Sequence, residues 1–397
     1  MLADSVRGPS GAPGRVTAVR RQARTTLSVS LAFAVAAPLA ALLPHRTGPW
    51  LSLHLFLVGS LLLAISAAAP FFAVTWSAGP CPPDGLARTQ RFLLAAGALG
   101  VAVARERGSA AGVLVSGVAV LAALALLARL LWGTVRPAVQ RRFDVTLQWY
   151  LTALALGGGG ISLGIALGTG AVSGSLAERF RQAHGLCNLL GLVGLVVAGT
   201  LPFFVATQAK MRMSERRDRQ AAARAAMAAG TIVATTGLLV GSPRLAGGGL
   251  ALYLAGLGLL ARILPRPGRR QLEWAGPRLW QLGAGLLWWA GALAAAALRA
   301  LAGRPPLSGP VLMALVVGGY AQILVASLAY LGPVLTAGGH DRLGRGFTVT
   351  GSWPGLVAAN AAAAGLILGA GHWLTGAVLI GWAADTLRRD LRQRVAP

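Results

Sequence analysis

Two histidines in apolar segments are the side chains of this chain best suited to chemistry. His54 lies near the start of one long apolar run and His184 near the start of another. A neutral imidazole nitrogen ligates haem iron and copper, so both residues are candidate cofactor and metal ligands. The alternative is that one ring is hydrogen-bonded to a loop and the other is satisfied between helices. Three further histidines are weaker candidates: His45, His340 and His372.

The carboxylates of this chain avoid the middle of the apolar runs. Asp144 and Asp385 fall at predicted helix ends. Four others fall in predicted loops or at their borders: Glu178, Glu215, Asp218 and Glu273. Because an ionised side chain in a bilayer is costly and usually functional, their placement argues against proton-coupled transport, paired-carboxylate catalysis and a carboxylate-bound hard metal ion. We therefore predict no catalytic residue.

The uncharged polar residues in the apolar runs suit helix packing better than chemistry. The candidates are Asn188, Tyr320, Gln322, Tyr330 and Asn360. Hydrogen bonds between helices, worth about 0.6–2 kcal/mol each in a bilayer, are their expected use. The four glycines at 157–160 follow no predicted strand, so they do not form a phosphate loop; we expect close helix packing there, with local flexibility as the alternative.

The elements that must position these residues are membrane-spanning helices. Of the 397 residues, 55% are hydrophobic and only 12% are charged, whereas a soluble domain has about 25% charged residues. A span needs about 20 mostly apolar residues. We therefore predict an all-α integral membrane protein that forms a single membrane domain over 1–397. Twelve runs are candidate spans: 26–43, 49–76, 91–104, 110–132, 145–168, 184–207, 220–240, 247–264, 279–301, 308–336, 354–370 and 372–387.

The net charge of +25 reflects membrane topology. Most arginines fall in alternate loops and in the basic tail 1–24, and such a bias places both termini on the cytoplasmic side. Nucleic-acid binding is not predicted, because the basic residues do not form a patch with interleaved aromatic residues. A cleaved signal peptide is the alternative interpretation of the first apolar run. Cys81 and Cys187 are not expected to pair.

Similar segments recur at a nearly constant spacing, one in each third of the chain. Pro70-Phe-Phe-Ala-Val-Thr75 is followed by Pro202-Phe-Phe-Val-Ala-Thr207 and then by Pro333-Val-Leu-Thr336. Each segment falls on the second helix of a group of four. The pattern predicts three parallel four-helix units, with approximate bounds 20–140, 141–275 and 276–397.

Twelve helices in three four-helix units, with histidines on helices 2 and 6, resemble subunit I of the haem–copper oxidases and the related NnrS-type membrane proteins. The segments His54-Leu-Phe-Leu-Val-Gly59 and His184-Gly-Leu-Cys-Asn188-Leu-Leu-Gly191 are similar to those of the actinobacterial branch of this group. The resemblance implies a haem ligand at His54 and a copper ligand at His184. Helix 10 has Tyr320 and Gln322 where the oxidases have histidines, and helix 7 has no histidine, so oxygen reduction is not expected.

Three functional hypotheses follow. In the first, the protein binds haem or copper near the outer side and acts in redox, metal or nitric-oxide handling without oxidase catalysis. In the second, it is a transporter or channel for a small solute. In the third, it is a structural membrane partner of a redox protein on the outer side. A single lysine, Lys210, among 36 basic residues is typical of a high-GC bacterial genome, so we predict the bacterial plasma membrane as the location.

Overall fold

The computed structural model describes residues 12–42, 44–212, 216–336, 340–369 and 372–395. Nearly all of these residues are helical, and they include no strand. Their long helices are α1 (Ala12–Ala41), α2 (Pro49–Ser77), α3 (Asp84–Arg107), α4 (Ala110–Val135), α5 (Asp144–Gly168), α6 (Gly174–Gln208), α7 (Arg217–Val240), α8 (Pro243–Ala261), α9 (Pro277–Leu301), α10 (Gly309–Thr336), α11 (Trp353–Leu368) and α12 (His372–Val395).

Ten helical segments in the described residues are long and apolar enough to cross a bilayer. The prediction of an all-α, multi-pass membrane protein is thereby confirmed. Each predicted apolar run falls in a long helix, but α3 and α12 are not among the ten. Both helices carry several charged side chains at their ends. The count of twelve spans, the repeats and the cytoplasmic position of the termini remain predictions.

The first helix begins earlier than the sequence predicted. α1 starts at Ala12, so the second half of the predicted tail 1–24 is helical. The extension is held by the loop that follows α2. Arg15 donates to the carbonyl oxygen of Ala78 at 2.7 Å, and Arg21 forms an ion pair with Asp84 at 3.1 Å. α1 thus extends beyond its apolar part because its basic side chains find acceptors on a neighbouring segment.

The sixth helix also begins earlier than predicted. α6 starts at Gly174, well before His184, where the apolar run begins. Glu178 forms an ion pair with Arg181 and accepts a hydrogen bond from Gln182 at 3.1 Å, and such pairs within one turn stabilise a polar stretch of helix. His184 therefore lies well inside a helix and not at its start.

The chain divides into two compact units, Met1–Val196 and Val197–Pro397. In unit 1, α1 packs on α2, α3 pairs with α4, and α5 packs on both α4 and the first half of α6. In unit 2, α7 and α8 form a close pair, and α9 to α12 each pack on the preceding helix. Gly230 and Gly249 allow the backbones of α7 and α8 to touch, because a Cβ at either position would collide with the other helix.

Three of the described helices contain a π-helical segment. The segments are Leu55–Leu61 in α2, Cys187–Gly194 in α6 and Ala314–Ala321 in α10. A π-helical turn widens the helix and is frequent at functional sites. None of the three was predicted from the sequence.

Each π-helical segment has glycine as its fifth residue: Gly59, Gly191 and Gly318. Two of these glycines receive a ring from the neighbouring helix. A Cβ at Gly59 would collide with the ring of Phe33, and a Cβ at Gly318 would lie 2.7 Å from the indole of Trp288. Gly59 and Gly318 therefore hold the same position within their π-helical segments.

Candidate functional site

The structure brings the two candidate histidines together in unit 1. The ring centres of His54 and His184 lie 6.3 Å apart, and the ring planes are within 3° of parallel. His54 is the last residue of α2 before the π-helical segment of that helix, and His184 lies just before the π-helical segment of α6. Both side chains are partly accessible. The sequence could not show this convergence.

Hydrogen bonds to backbone carbonyls hold both rings in one orientation. Nδ1 of His54 lies 3.1 Å from the carbonyl oxygen of Trp50, and Nδ1 of His184 lies 2.7 Å from that of Gly160. A carbonyl oxygen only accepts, so each Nδ1 carries the proton and Nε2 of a neutral ring keeps its lone pair. Within the described part of the chain, neither Nε2 forms a hydrogen bond. This arrangement is the one in which histidine usually binds a metal ion.

Glycines of α5 make room for His184. A Cβ at Gly164 would lie 2.6 Å from Cε1 and 2.7 Å from Nδ1 of His184. A Cβ at Gly160 would lie 2.5 Å from Nδ2 of Asn188. Gly158 and Gly159 have nothing within 4 Å. The predicted close packing at 157–160 is therefore present on one side of α5 only, and Gly164 is a site residue that the sequence analysis missed.

Trp50 and the loop before α2 support His54. The indole of Trp50 stacks on the imidazole with ring centres 3.8 Å apart. The loop is tied to the end of α3: Glu106 accepts hydrogen bonds from the backbone N–H of Arg46 at 2.9 Å, and from the N–H of Thr47 at 3.2 Å and its hydroxyl. These hydrogen bonds, first that of the Thr47 hydroxyl, lower the pKa of Glu106 below its usual value. Glu106 thus fixes the segment from which Trp50 and His54 project.

The residues present fit one metal ion held between two imidazoles. Metal–imidazole bonds are about 2.0–2.1 Å long, so two rings that bind one ion from opposite sides have centres roughly 6.3 Å apart. The observed ring centres lie 6.3 Å apart with parallel planes, which places both imidazoles within reach of one ion. The ligand roles that the resemblance implied, haem at His54 and copper at His184, stay predictions. No group of three or more histidine, cysteine or carboxylate side chains suited to a metal ion occurs among the described residues.

Two of the polar candidates, Gln322 of α10 and Asn360 of α11, form a cluster with Trp288 of α9 in unit 2. Oδ1 of Asn360 accepts hydrogen bonds from Nε1 of Trp288 at 2.7 Å and from Nε2 of Gln322 at 3.3 Å. Nδ2 of Asn360 donates to the carbonyl of Leu356 at 2.8 Å and to Oε1 of Gln322 at 3.4 Å. Gln322 is fully buried. Gln322 and Asn360 thus form the expected hydrogen bonds between helices.

Other predicted polar residues lie in local contacts. Asn188 donates to the carbonyl oxygen of His184, one turn earlier, at 2.9 Å. Its Nδ2 also lies 3.2 Å from Nδ1 of His184, but the shorter contact of that Nδ1 with a carbonyl oxygen decides the tautomer. Tyr320 is buried against Trp289, with ring centres 6.0 Å apart. Tyr330 stacks on Phe347.

Of the three weaker histidine candidates, the structure describes only the side chain of His45, which is not part of the pair. Nε2 of His45 lies 2.6 Å from the carbonyl oxygen of Gly48. The side chains of His340 and His372 lie outside the described part of the structure. Cys81 and Cys187 are not joined to each other, as expected.

No known family model matches the chain, and no curated protein matches it. The fold and its apolar helices define the class of the protein, which is a multi-pass, all-helical membrane protein.

Proposed function

We propose that His54 and His184 bind a single transition-metal centre, either the iron of a haem or a copper ion. The protein would then act in redox, metal or nitric-oxide handling without oxidase catalysis. A haem iron or a copper ion held by these two imidazoles would supply one-electron transfer. This proposal extends the resemblance to the NnrS-type and haem–copper oxidase-like proteins.

The observation that carries the proposal is the pairing of two imidazoles whose Nδ1 atoms are both engaged by carbonyl groups. Imidazole suits copper, iron, nickel and zinc, and among divalent ions copper binds such donors most tightly. The other hypotheses have less support. The buried amides of Gln322 and Asn360 are matched with each other, and so this pair offers no free amide group to a transported solute.

We also propose twelve spans in three four-helix units, with both termini cytoplasmic, in a bacterial plasma membrane. The π-helical segments support this arrangement, because they occur in the second, sixth and tenth helices. Each of these helices also has a proline after its π-helical segment: Pro70, Pro202 and Pro333. In this orientation the histidine pair faces the outer side, where a redox protein is the proposed partner.

The test is the absorption spectrum and metal content of the purified protein. A haem gives a Soret band, and a copper ion is found by elemental analysis at one equivalent per chain. Protein purified without metal is titrated with haemin and, separately, with copper under reducing and oxidising conditions. We expect one of these to bind in a ratio of one to one.

Variants assign the ligand. His54→Ala and His184→Ala are expected to abolish the spectrum or the bound metal. His45→Ala, a histidine of the neighbouring loop that is not part of the pair, is the matched control and should bind normally. The proposal is wrong if wild-type protein binds neither haem nor copper, or if the His45→Ala and His184→Ala variants bind the haem or copper with equal affinity.

A further inference from the structure

A second candidate site, distinct from the histidine pair, lies within unit 2. It is formed by Lys210, the short helix Arg269–Ala275, the first turns of α9 and the short helix His340–Thr350, which we call the basic end of unit 2. Four exposed arginines precede α9 here: Arg262, Arg266, Arg269 and Arg270. Glu273, the carboxylate of the same stretch, is paired with Arg269 at 2.9 Å.

Two cations at the basic end rest on one pair of aromatic rings. Nζ of Lys210 lies 3.3 Å from the ring centre of Trp274, and the guanidinium of Arg278 lies 4.2 Å from that of Phe347. The Trp274 and Phe347 rings touch edge to face, with centres 6.4 Å apart. Among the described residues no carboxylate forms an ion pair with either cation. Two like charges therefore lie on one ring pair without a carboxylate to balance them in the described part of the chain.

Arg278 is the buried member of this group. Its exposed fraction is only 4%, and Nε donates to the carbonyl of Ala275 at 3.1 Å. Nη1 is buried without a hydrogen-bond partner in the described part of the chain. A buried guanidinium without an anion is costly, so the missing partner is expected to be negatively charged.

Gln281 provides a second unmatched donor next to Arg278. It lies one turn later on α9, which places both side chains on neighbouring positions of one helix face. The exposed fraction of Gln281 is 5%, and its Nε2 has no hydrogen-bond partner among the described residues. Buried polar atoms are nearly always paired, and exceptions indicate a missing water, ion or ligand. The N-terminus of α9 has no side-chain cap, which favours an anion at the same place.

We propose that a phosphate group binds at the basic end of unit 2, with Lys210, Arg278 and Gln281 as its donors. Guanidinium and ammonium groups are the usual protein donors to phosphate. The source is either the headgroup of an anionic phospholipid or free phosphate. The lipid is the better match, because Trp274 is partly exposed at a helix end, as tryptophan is at membrane interfaces. The predicted topology also places this end at the cytoplasmic leaflet, which holds the anionic lipids.

The experiment measures the unfolding temperature of the full-length protein in a neutral detergent. Short-chain phosphatidylglycerol, short-chain phosphatidylcholine and inorganic phosphate are added separately to wild type and to the Lys210→Gln, Arg278→Gln, Gln281→Leu and Arg270→Gln variants. Arg270→Gln is the matched control, because it removes one exposed charge from the same end. A ligand that binds only the folded protein raises the unfolding temperature in a concentration-dependent way.

We expect phosphatidylglycerol, but not phosphatidylcholine, to stabilise wild type and the Arg270 variant. The apparent dissociation constant should rise about tenfold or more in the Lys210 and Arg278 variants, the loss of one charge-assisted contact. Gln281→Leu should give a smaller rise. Equal stabilisation by inorganic phosphate, with the same dependence on the variants, would support the site and identify free phosphate as the ligand. Because Lys210 is exposed, its variant tests the site even if Arg278→Gln fails to fold.

Three results would overturn the proposal. The first is an equal response of all variants to phosphatidylglycerol, and the second is no response of wild type to either phosphate source. The third concerns Glu215 and Asp341, whose side chains lie outside the described residues. A double-mutant coupling between Arg278 and either carboxylate in lipid-free protein would identify an internal partner for the guanidinium.

Discussion

The histidine pair of unit 1 and the amide cluster of unit 2 are both polar groups next to a π-helical segment, but they differ in how their atoms are used. In the amide cluster, the side chain of Asn360 accepts from Trp288 and Gln322 and donates to Gln322 and a carbonyl. In the histidine pair, Nδ1 of each ring is engaged by a carbonyl, whereas Nε2 has no hydrogen-bond partner among the described residues and its lone pair remains for a ligand. A polar group whose donors and acceptors are all paired within the protein serves helix packing, whereas one that keeps a free lone pair is suited to binding a ligand.

The largest expected effect is on metal binding by the histidine pair. Replacement of His54 or His184 by alanine removes one of two ligands, so we expect affinity for copper or haem to fall at least about 100-fold, or about 2.7 kcal/mol. The unfolding temperature should change little, because both rings are partly accessible. Titration of purified protein measures the affinity, and calorimetry measures the unfolding. A large loss of stability with unchanged metal affinity would show that the histidine pair serves packing and not metal binding.

The next effect concerns the space that α5 leaves for His184. Gly164→Ala should displace the ring and weaken its bond to Gly160, and loss of such a supporting contact typically lowers metal affinity about 10–100-fold. Gly158→Ala is the matched control, because a Cβ there meets nothing within 4 Å. The same titration compares the two variants. Equal affinities would show that His184 does not depend on the glycine.

The amide cluster should respond in stability and not in binding. Asn360→Leu leaves the Trp288 Nε1 and the Gln322 amide without partners, so we expect the free energy of unfolding to fall by about 1–2 kcal/mol. Trp288→Phe, which removes a single donor, should cost less. Thermal unfolding in detergent measures the change. If metal affinity fell in parallel, the two clusters would not be functionally separate.

The smallest effect is expected at Glu106, which acts on His54 through the loop. Glu106→Gln should weaken metal affinity by about twofold to tenfold, as for one lost hydrogen bond. The pKa of Glu106 is lowered in the folded protein, so its stabilising contribution is present above the ordinary glutamate pKa of about 4.3 and is lost as pH falls through the lowered value. Unfolding curves from pH 7 to pH 3 should therefore differ between wild type and the variant, with the difference shrinking at the acid end.

Much of the helix pattern could be predicted from hydropathy, and the departures have local causes. α1 and α6 extend past their apolar runs because Arg15 and Arg21 find acceptors at Ala78 and at Asp84, the first residue of α3, and because Glu178 is paired within its own helix. A hydropathy pattern reports contact with lipid, so it cannot detect a polar stretch that stays helical through its side-chain partners. The π-helical segments escaped prediction for a related reason, since their sequences are as apolar as the α-helix around them.

The sequence was enough to identify the two histidines of the candidate site, but it could not predict how the side chains of the site are arranged in space. Histidine is rare in the apolar runs, so His54 and His184 stood out by type alone. Gly164 and Glu106 did not stand out in the sequence. Gly164 is one of many glycines in its helix, Glu106 is a carboxylate at a helix end, and neither residue type indicates which residues it contacts. Gly164 depends on a ring from α6, and Glu106 depends on a loop that is distant from it in sequence.

Residue type and run length are enough to predict a bundle of apolar helices with two imidazoles as its main chemical groups. The meeting of the two rings at 6.3 Å, and the mutual hydrogen bonding of the amides of α10 and α11, follow from the three-dimensional packing. Whether two side chains meet depends on the rotation and depth of each helix. These are set by close contacts at a few glycines and by the widened π-helical turns, which hydropathy does not report.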